Sequence, residues 1–153
     1  MSRKLVVLLV FAFSTLLRGA DDPVLGKWKL NPSRSTAEPG PVNRSAALTY
    51  EAVPNGEKQS GQAVNAQGGR IASSYTAKYD SKDYPVQGQK DWDSVALTKV
   101  DAHTCLLVHK KGSNVVRMTR RAISADGKTM TIASVGVSIQ GQVSHNVSVY
   151  EKQ

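Results

Sequence analysis

Four aspartates, Asp80, Asp83, Asp91 and Asp93, crowd into the fifteen residues YDSKDYPVQGQKDWD (Tyr79–Asp93) beside Tyr84 and Trp92. Carboxylate oxygens in such number are the ligands that calcium takes. The spacing is not that of an EF-hand loop, and Lys78, Lys82 and Lys90 offset the negative charge. No metal site is therefore expected. Two other uses suit the composition better. The aspartates can terminate strands while Tyr84 and Trp92 cover one end of the folded body. Alternatively, the stretch is an entry point where aromatic surface beside fixed polar groups recognises a small molecule.

The other reactive side chains are scattered. His103 and His109 stand six residues apart, ~20 Å along a strand, whereas zinc ligands converge within ~2 Å of one point. His103 and Cys105 share a strand face at ~7 Å, too far apart for a nucleophile–base hydrogen bond. There is no glycine-rich phosphate loop, HExxH helix or GxSxG elbow. Neither catalysis nor a bound cofactor is expected. The basic run Arg117-Met118-Thr119-Arg120-Arg121, with Lys110 and Lys111 nearby, lacks interleaved aromatics. It reads as a solvated edge rather than a nucleic-acid surface.

Strands must position these residues. From Gly26 onward, alternating stretches are cut by Pro54-Asn55-Gly56, Gln67-Gly68-Gly69, Lys111-Gly112-Ser113, Ala125-Asp126-Gly127 and Gln140-Gly141. Asn-Gly and Asp-Gly supply the positive φ that tight hairpins need. The pattern predicts nine strands: Gly26–Leu30, Ser45–Val53, Glu57–Val64, Arg70–Tyr79, Ser94–Val100, His103–Lys110, Asn114–Ile123, Lys128–Val137 and Gln142–Glu151. Tyr84-Pro85-Val86 adds a brief extended piece. Hairpin-linked strands are antiparallel neighbours, and nothing beyond the N-terminal segment has helical spacing over three turns. The class is all-β, an up-and-down meander. Such a series has two open edges unless it closes, so a barrel of eight to ten strands is expected over a two-sheet sandwich.

The N-terminus differs. Arg3 and Lys4 precede Leu5–Leu17, apolar apart from Ser14 and Thr15, and Arg18-Gly19-Ala20 leads into Asp21-Asp22-Pro23. This is the layout of a secretory signal peptide over residues 1–20, short for a membrane span of ~20 residues. An exported protein, periplasmic or extracellular, is expected, with one domain over residues 21–153. Of the 20 Lys and Arg, three (Arg3, Lys4, Arg18) leave with that segment, so the formal charge falls from +8 to +5. A balance this modest favours solubility. The lone Cys105 excludes an internal disulfide, and its strand-like run HTCLLV predicts a buried thiol.

Gly26-Lys27-Trp28 matches the G-x-W opening of lipocalins and fatty-acid-binding proteins, and GKWKL resembles the first strand of the latter. The ending SVYEKQ is similar to their last strand, whose Arg-x-Tyr pair holds a carboxylate. Tyr150 matches that tyrosine, but Ser148 stands where the arginine would be. The helix pair that lids those proteins has no counterpart in Asn31–Asn43, which contains Pro32, Pro39 and Pro41. A fuller likeness is to uncharacterised exported bacterial proteins with lipocalin-like folds. It rests on GKWKLNPSRS (Gly26–Ser35), YTAKYDSKDYPVQG (Tyr75–Gly88) and DSVALTKVDAHT (Asp93–Thr104). It implies the fold and carries no activity with it.

Alternation selects the expected lining. Ala46, Leu48, Tyr50 and Ala52 share a face, as do Ile71, Ser73, Tyr75, Ala77 and Tyr79, and Val116, Met118 and Arg120. Trp28, on one side with Gly26 and Leu30, is expected to plug one end. In the last strand Val143, His145, Val147 and Val149 oppose Asn146, Ser148 and Tyr150. Hydrophobicity puts the valines inside; the fatty-acid-binding resemblance chooses the other set, and one residue of register exchanges them. The expected function is non-catalytic binding of a small hydrophobic or amphipathic molecule. Tyr50, Tyr75, Tyr79, Met118, Arg120 and His145 or Tyr150 would line the barrel, with Tyr84 and Trp92 at its mouth. The alternative is an envelope protein-interaction module with a filled barrel, whose Tyr84–Trp92 loop meets another macromolecule. Neither role involves nucleic acid, and neither fixes an oligomeric state.

Overall fold

Asn55 takes φ 57° between β3 (Ser45–Val53) and β4 (Gly56–Val64), closing the tight hairpin that Pro54-Asn55-Gly56 predicts. The computed structural model describes residues 22–138 and 140–153, so the expected signal peptide and its cleavage site lie outside them. The other strands are β1 (Gly26–Leu30), β2 (Thr36–Glu38), β5 (Arg70–Lys78), β6 (Asp83–Gln87), β7 (Ser94–Lys99), β8 (Thr104–Lys111), β9 (Asn114–Ile123), β10 (Thr129–Val137) and β11 (Val143–Lys152). Consecutive strands from β3 onward pair antiparallel. β1 pairs on one side with β3, Trp28 opposite Leu48, and on the other with β11, Trp28 opposite Lys152. Ten strands therefore close into a barrel, and the ring has no free edge.

Two strands exceed the nine of the sequence pattern. β2 sits among the prolines of the β1–β3 connection and extends the β11 edge, with Thr36 opposite Val147. β6 meets β5 through Val86 and Gln87, and β7 through Asp83, Tyr84 and Pro85. No β6 residue is paired on both sides, which accommodates the missing N–H of Pro85.

Trp28 closes one end. It is 1% exposed, donates its indole N–H to the Val24 carbonyl at 2.7 Å, and packs with Leu30, Ala46, Tyr50, Ile123, Met130 and Tyr150. A second cluster of Ala77, Val95, Leu97, Cys105 and Leu107 is flanked by Tyr75, Tyr79 and Tyr84. Each large apolar side chain so buried contributes ~1.5–3 kcal/mol.

The polarity of β9 is the reverse of that expected, and on β11 the face chosen by the fatty-acid-binding resemblance, not the valine face, points inward. On β9, Arg117, Thr119 and Arg121 point inward, while Met118, 62% exposed, and Arg120 lie outside. On β11, Asn146, Ser148 and Tyr150 face in, and Val143, His145 and Val147 are exposed. Val135 and Val137 of β10 are exposed too. This corrects the lining expected of Met118, Arg120 and His145. Assigning the apolar face to the interior holds for a filled core; this barrel instead keeps polar groups inside and leaves an apolar strip outside.

Candidate functional site

β8 to β11 stack their inward residues in rows set by the register. Nearest the open end, His109 lies opposite Arg117, which lies opposite Gly136. The next row runs Leu107, Thr119, Ser134, Asn146, and the next Cys105, Arg121, Ile132, Ser148. Ile123, Met130 and Tyr150 form the row beside Trp28. Across from this wall stand Leu48, Tyr50, Gln59, Ile71 and Tyr75 from β3, β4 and β5. Between the walls is a cavity of about 450 Å³, within the ~300–1,000 Å³ of small-molecule sites.

Beneath the cavity lies a buried ion pair. Arg121, 3% exposed, donates from two nitrogens to the two carboxylate oxygens of Glu57, 0% exposed, at 2.6 Å each. The Tyr75 and Tyr79 hydroxyls donate to the same carboxylate at 2.8 and 2.7 Å, and the guanidinium lies 4.8 Å over the Tyr50 ring. Burial disfavours the Arg121 charge, but Tyr50, Glu57 and Tyr75 outweigh it and hold its pKa well above the ordinary value. Burial, with Glu57 adding to it against Arg121, pushes the Tyr50 phenol up to about 12. Such a pair persists because bidentate geometry and the phenol hydrogen bonds satisfy the carboxylate. Asp22 continues the network: it accepts from Lys99, and its carboxylate lies 3.0 Å from the Tyr79 oxygen, whose single hydrogen it shares with the nearer Glu57.

The wall above is less satisfied. His109 Nδ1 and Thr119 Oγ1 are buried without a hydrogen-bond partner among the described residues. Burial, then the nearby Arg117, push the His109 pKa down to about 4, so the imidazole is neutral at pH 7. Unpaired polar atoms in a buried site carry a desolvation penalty that a bound polar group can remove.

Trp92 forms the lip. Its ring sits 5.1 Å from that of His109 at 60°, and the Arg117 guanidinium lies 4.7 Å over it. The loop carrying Trp92 is fixed at both ends. Gly88 starts it at φ 78°, where a Cβ would stand 1.9 Å from the Ala72 carbonyl oxygen, so only glycine fits. Asp93 ends it, accepting from the Gly112 N–H at 3.1 Å, and Lys111 Nζ reaches the Lys90 carbonyl at 3.1 Å. Pro39, Pro41 and Val42, from the connection between β1 and β3, also line the cavity.

The four aspartates of this stretch do not converge. Asp80 accepts from the Tyr84 hydroxyl at 2.9 Å, Asp83 pairs with Lys110 at 2.8 Å, Asp93 holds Gly112, and Asp91 borders the cavity. Of the residues expected in the site, Tyr50, Tyr75, Trp92 and Tyr150 line the cavity. Tyr79 lies in the network beneath it. Tyr84 is not at the mouth: it packs on the Val95 and Leu97 cluster below, because β6 pairs it with Val95. Met118, Arg120 and His145 are outside. Sequence reasoning missed His109, Arg117 and Thr119. Regular pairing over Gly112 would set His109, Leu107 and Cys105 against Val116, Met118 and Arg120; a β-bulge between His109 and Lys110 shifts the register by one residue and brings Arg117, Thr119 and Arg121 inward instead.

No protein-family model matches the chain, and no curated protein matches it. Solved structures do. A zebrafish ileal bile acid-binding protein, determined with cholic acid, is 11% identical with a TM-score of 0.53, covering 86% of this chain and 99% of its own. An S-type phycobiliprotein lyase from Guillardia theta is 10% identical with a TM-score of 0.56, covering 86% and 89%. The shared property is the fold, the calycin or lipocalin-like barrel.

Proposed function

We propose that this protein is an exported, non-catalytic carrier that holds one small, partly apolar molecule inside its barrel. The observation that carries this is the cavity of about 450 Å³ with apolar and aromatic residues on one side and His109 Nδ1 and Thr119 Oγ1 unpartnered on the other. Apolar surface removed from water supplies affinity at ~25 cal/mol per Å², and the polar wall fixes orientation. Support comes also from the bile acid-binding neighbour, whose barrel accompanies cholic acid. Export rests on the residue 1–20 pattern, and kinship with exported bacterial proteins on the three matching segments. Titration with the neutral fluorophore N-phenylnaphthylamine tests the carrier role. Saturable enhancement is expected, lost in Ser134→Trp, which fills the middle of the cavity. Undiminished enhancement in that variant would place the probe elsewhere and sink the proposal.

A partner-binding role is the alternative, favoured by the exposed Met118, Val135 and Val147 on adjacent strands. Exposed apolar patches often mark such surfaces. It predicts that Val135→Lys abolishes capture of a protein partner and leaves the fluorophore bound.

A further inference from the structure

Among the described residues, two arginines face the inside of the barrel, and one of them is available to a ligand. Arg121 is committed to Glu57 by two hydrogen bonds, and neither residue lines the cavity. Arg117 does line it, half-buried, and makes no ion pair among the described residues. The one other charged residue on the lining is Asp91, which attracts Arg117 from beyond ion-pair distance. Arg117 is also held in place. Its guanidinium lies 4.7 Å over the Trp92 ring. A planar guanidinium stacked on an indole keeps donors free for an oxoacid.

We propose that Arg117 docks the acid group of an amphipathic monoanion at the cavity mouth, with the apolar body of the ligand directed inward past His109 and Thr119. This rests on the carrier role above and adds to it a charge preference and an orientation. The floor excludes the opposite orientation. An acid pushed to the base would meet Tyr50 and Tyr75, behind which the Glu57 carboxylate already uses the Arg121 charge. The wall between offers neutral partners, a histidine without charge at pH 7 and a threonine hydroxyl. These suit a hydroxyl or carbonyl on the ligand rather than a second acid.

A matched pair of fluorophores tests this: anilinonaphthalene sulfonate, and N-phenylnaphthylamine, which has the same rings without the sulfonate. The wild-type protein should bind the sulfonate more tightly. Arg117→Gln should weaken the sulfonate at least about tenfold, the scale of a lost charge-assisted bidentate contact, and change the neutral probe less than twofold. Asp91→Asn, which removes the competing carboxylate, should tighten the sulfonate alone; a misfolded variant would not. Arg120→Gln, on the outer face of the same strand, should alter neither. Equal loss of both probes in Arg117→Gln, together with no gain in Asp91→Asn, would overturn the anion site and leave the carrier role standing. Failure of the sulfonate alone to enter the wild-type cavity would overturn the anion site, and failure of both probes would overturn the carrier role as well.

Discussion

Arg121 meets Glu57 through two 2.6 Å hydrogen bonds, although 64 residues separate them in the chain. The contact joins β9 to β4 across the barrel rather than along the sheet. It brings an otherwise hidden charge pair, three tyrosines and Asp22 into one network under the cavity. Breaking one partner strands the other charge in a dry site. Arg121→Met is expected to lower stability by ~3–5 kcal/mol. The double change Glu57→Leu with Arg121→Met should recover most of that loss. Urea unfolding of the four proteins measures both values and their coupling.

His109 makes stability depend on pH in a stated direction. Its pKa falls from 6.5 in the unfolded chain to about 4 in the barrel, through burial first and Arg117 second. Above pH 6.5 both states are neutral there and the contribution is constant. Between pH 6.5 and 4 the unfolded chain binds the extra proton, so stability is lost as pH falls, by at most ~1.4 kcal/mol per unit. His109→Phe should flatten that window. Thermal unfolding at pH 4.5 and 7 in both proteins checks it, and an unchanged slope would remove His109 from the account.

Cys105 should be inert in the folded protein. It is 3% exposed, and burial pushes its thiol up to about 11 despite the opposing Arg121 charge. A shift from 9 to about 11 leaves about a hundredfold less thiolate at pH 8. Iodoacetamide labelling followed by intact mass should be slow in buffer and complete in urea. Rapid labelling of the native protein would contradict the packing of Leu97, Cys105 and Leu107.

Much of the barrel was legible. Asn-Gly and Asp-Gly turns mark hairpins whatever lies inside, and the position of Trp28 on the first strand marks the plugged end. The closure is a consequence of edges, so counting strands was enough to expect it. The site was less legible because hydrophobic alternation encodes burial, not enclosure. On β9 and β11 the apolar residues sit outside and the polar residues bound a cavity, so Met118 and His145 were drawn inward by the rule that serves Ala46 and Tyr50. Tyr84 was placed at the mouth because Tyr79–Asp93 was read as one long connection, with Tyr84-Pro85-Val86 only a brief extended piece inside it. A five-residue strand containing proline splits it, and only Trp92 reaches the lip.

The outer strip provides a control on that polarity. Met118→Gln and His145→Ala should leave probe affinity within twofold of wild type, whereas Thr119→Val, on the cavity side of β9, should change it for any ligand that uses the hydroxyl. Isothermal titration with anilinonaphthalene sulfonate reads all three. Loss of binding in the outer variants would mean that the strands are turned the other way.

The most direct measurement is native mass spectrometry of the protein purified from its source, compared with its denatured mass and with Ser134→Trp. The carrier account predicts a discrete added mass on the wild-type protein, released on unfolding and absent from the variant. A wild-type protein that stays bare after incubation with an extract of the source cells, or a variant that carries the same mass, would contradict it.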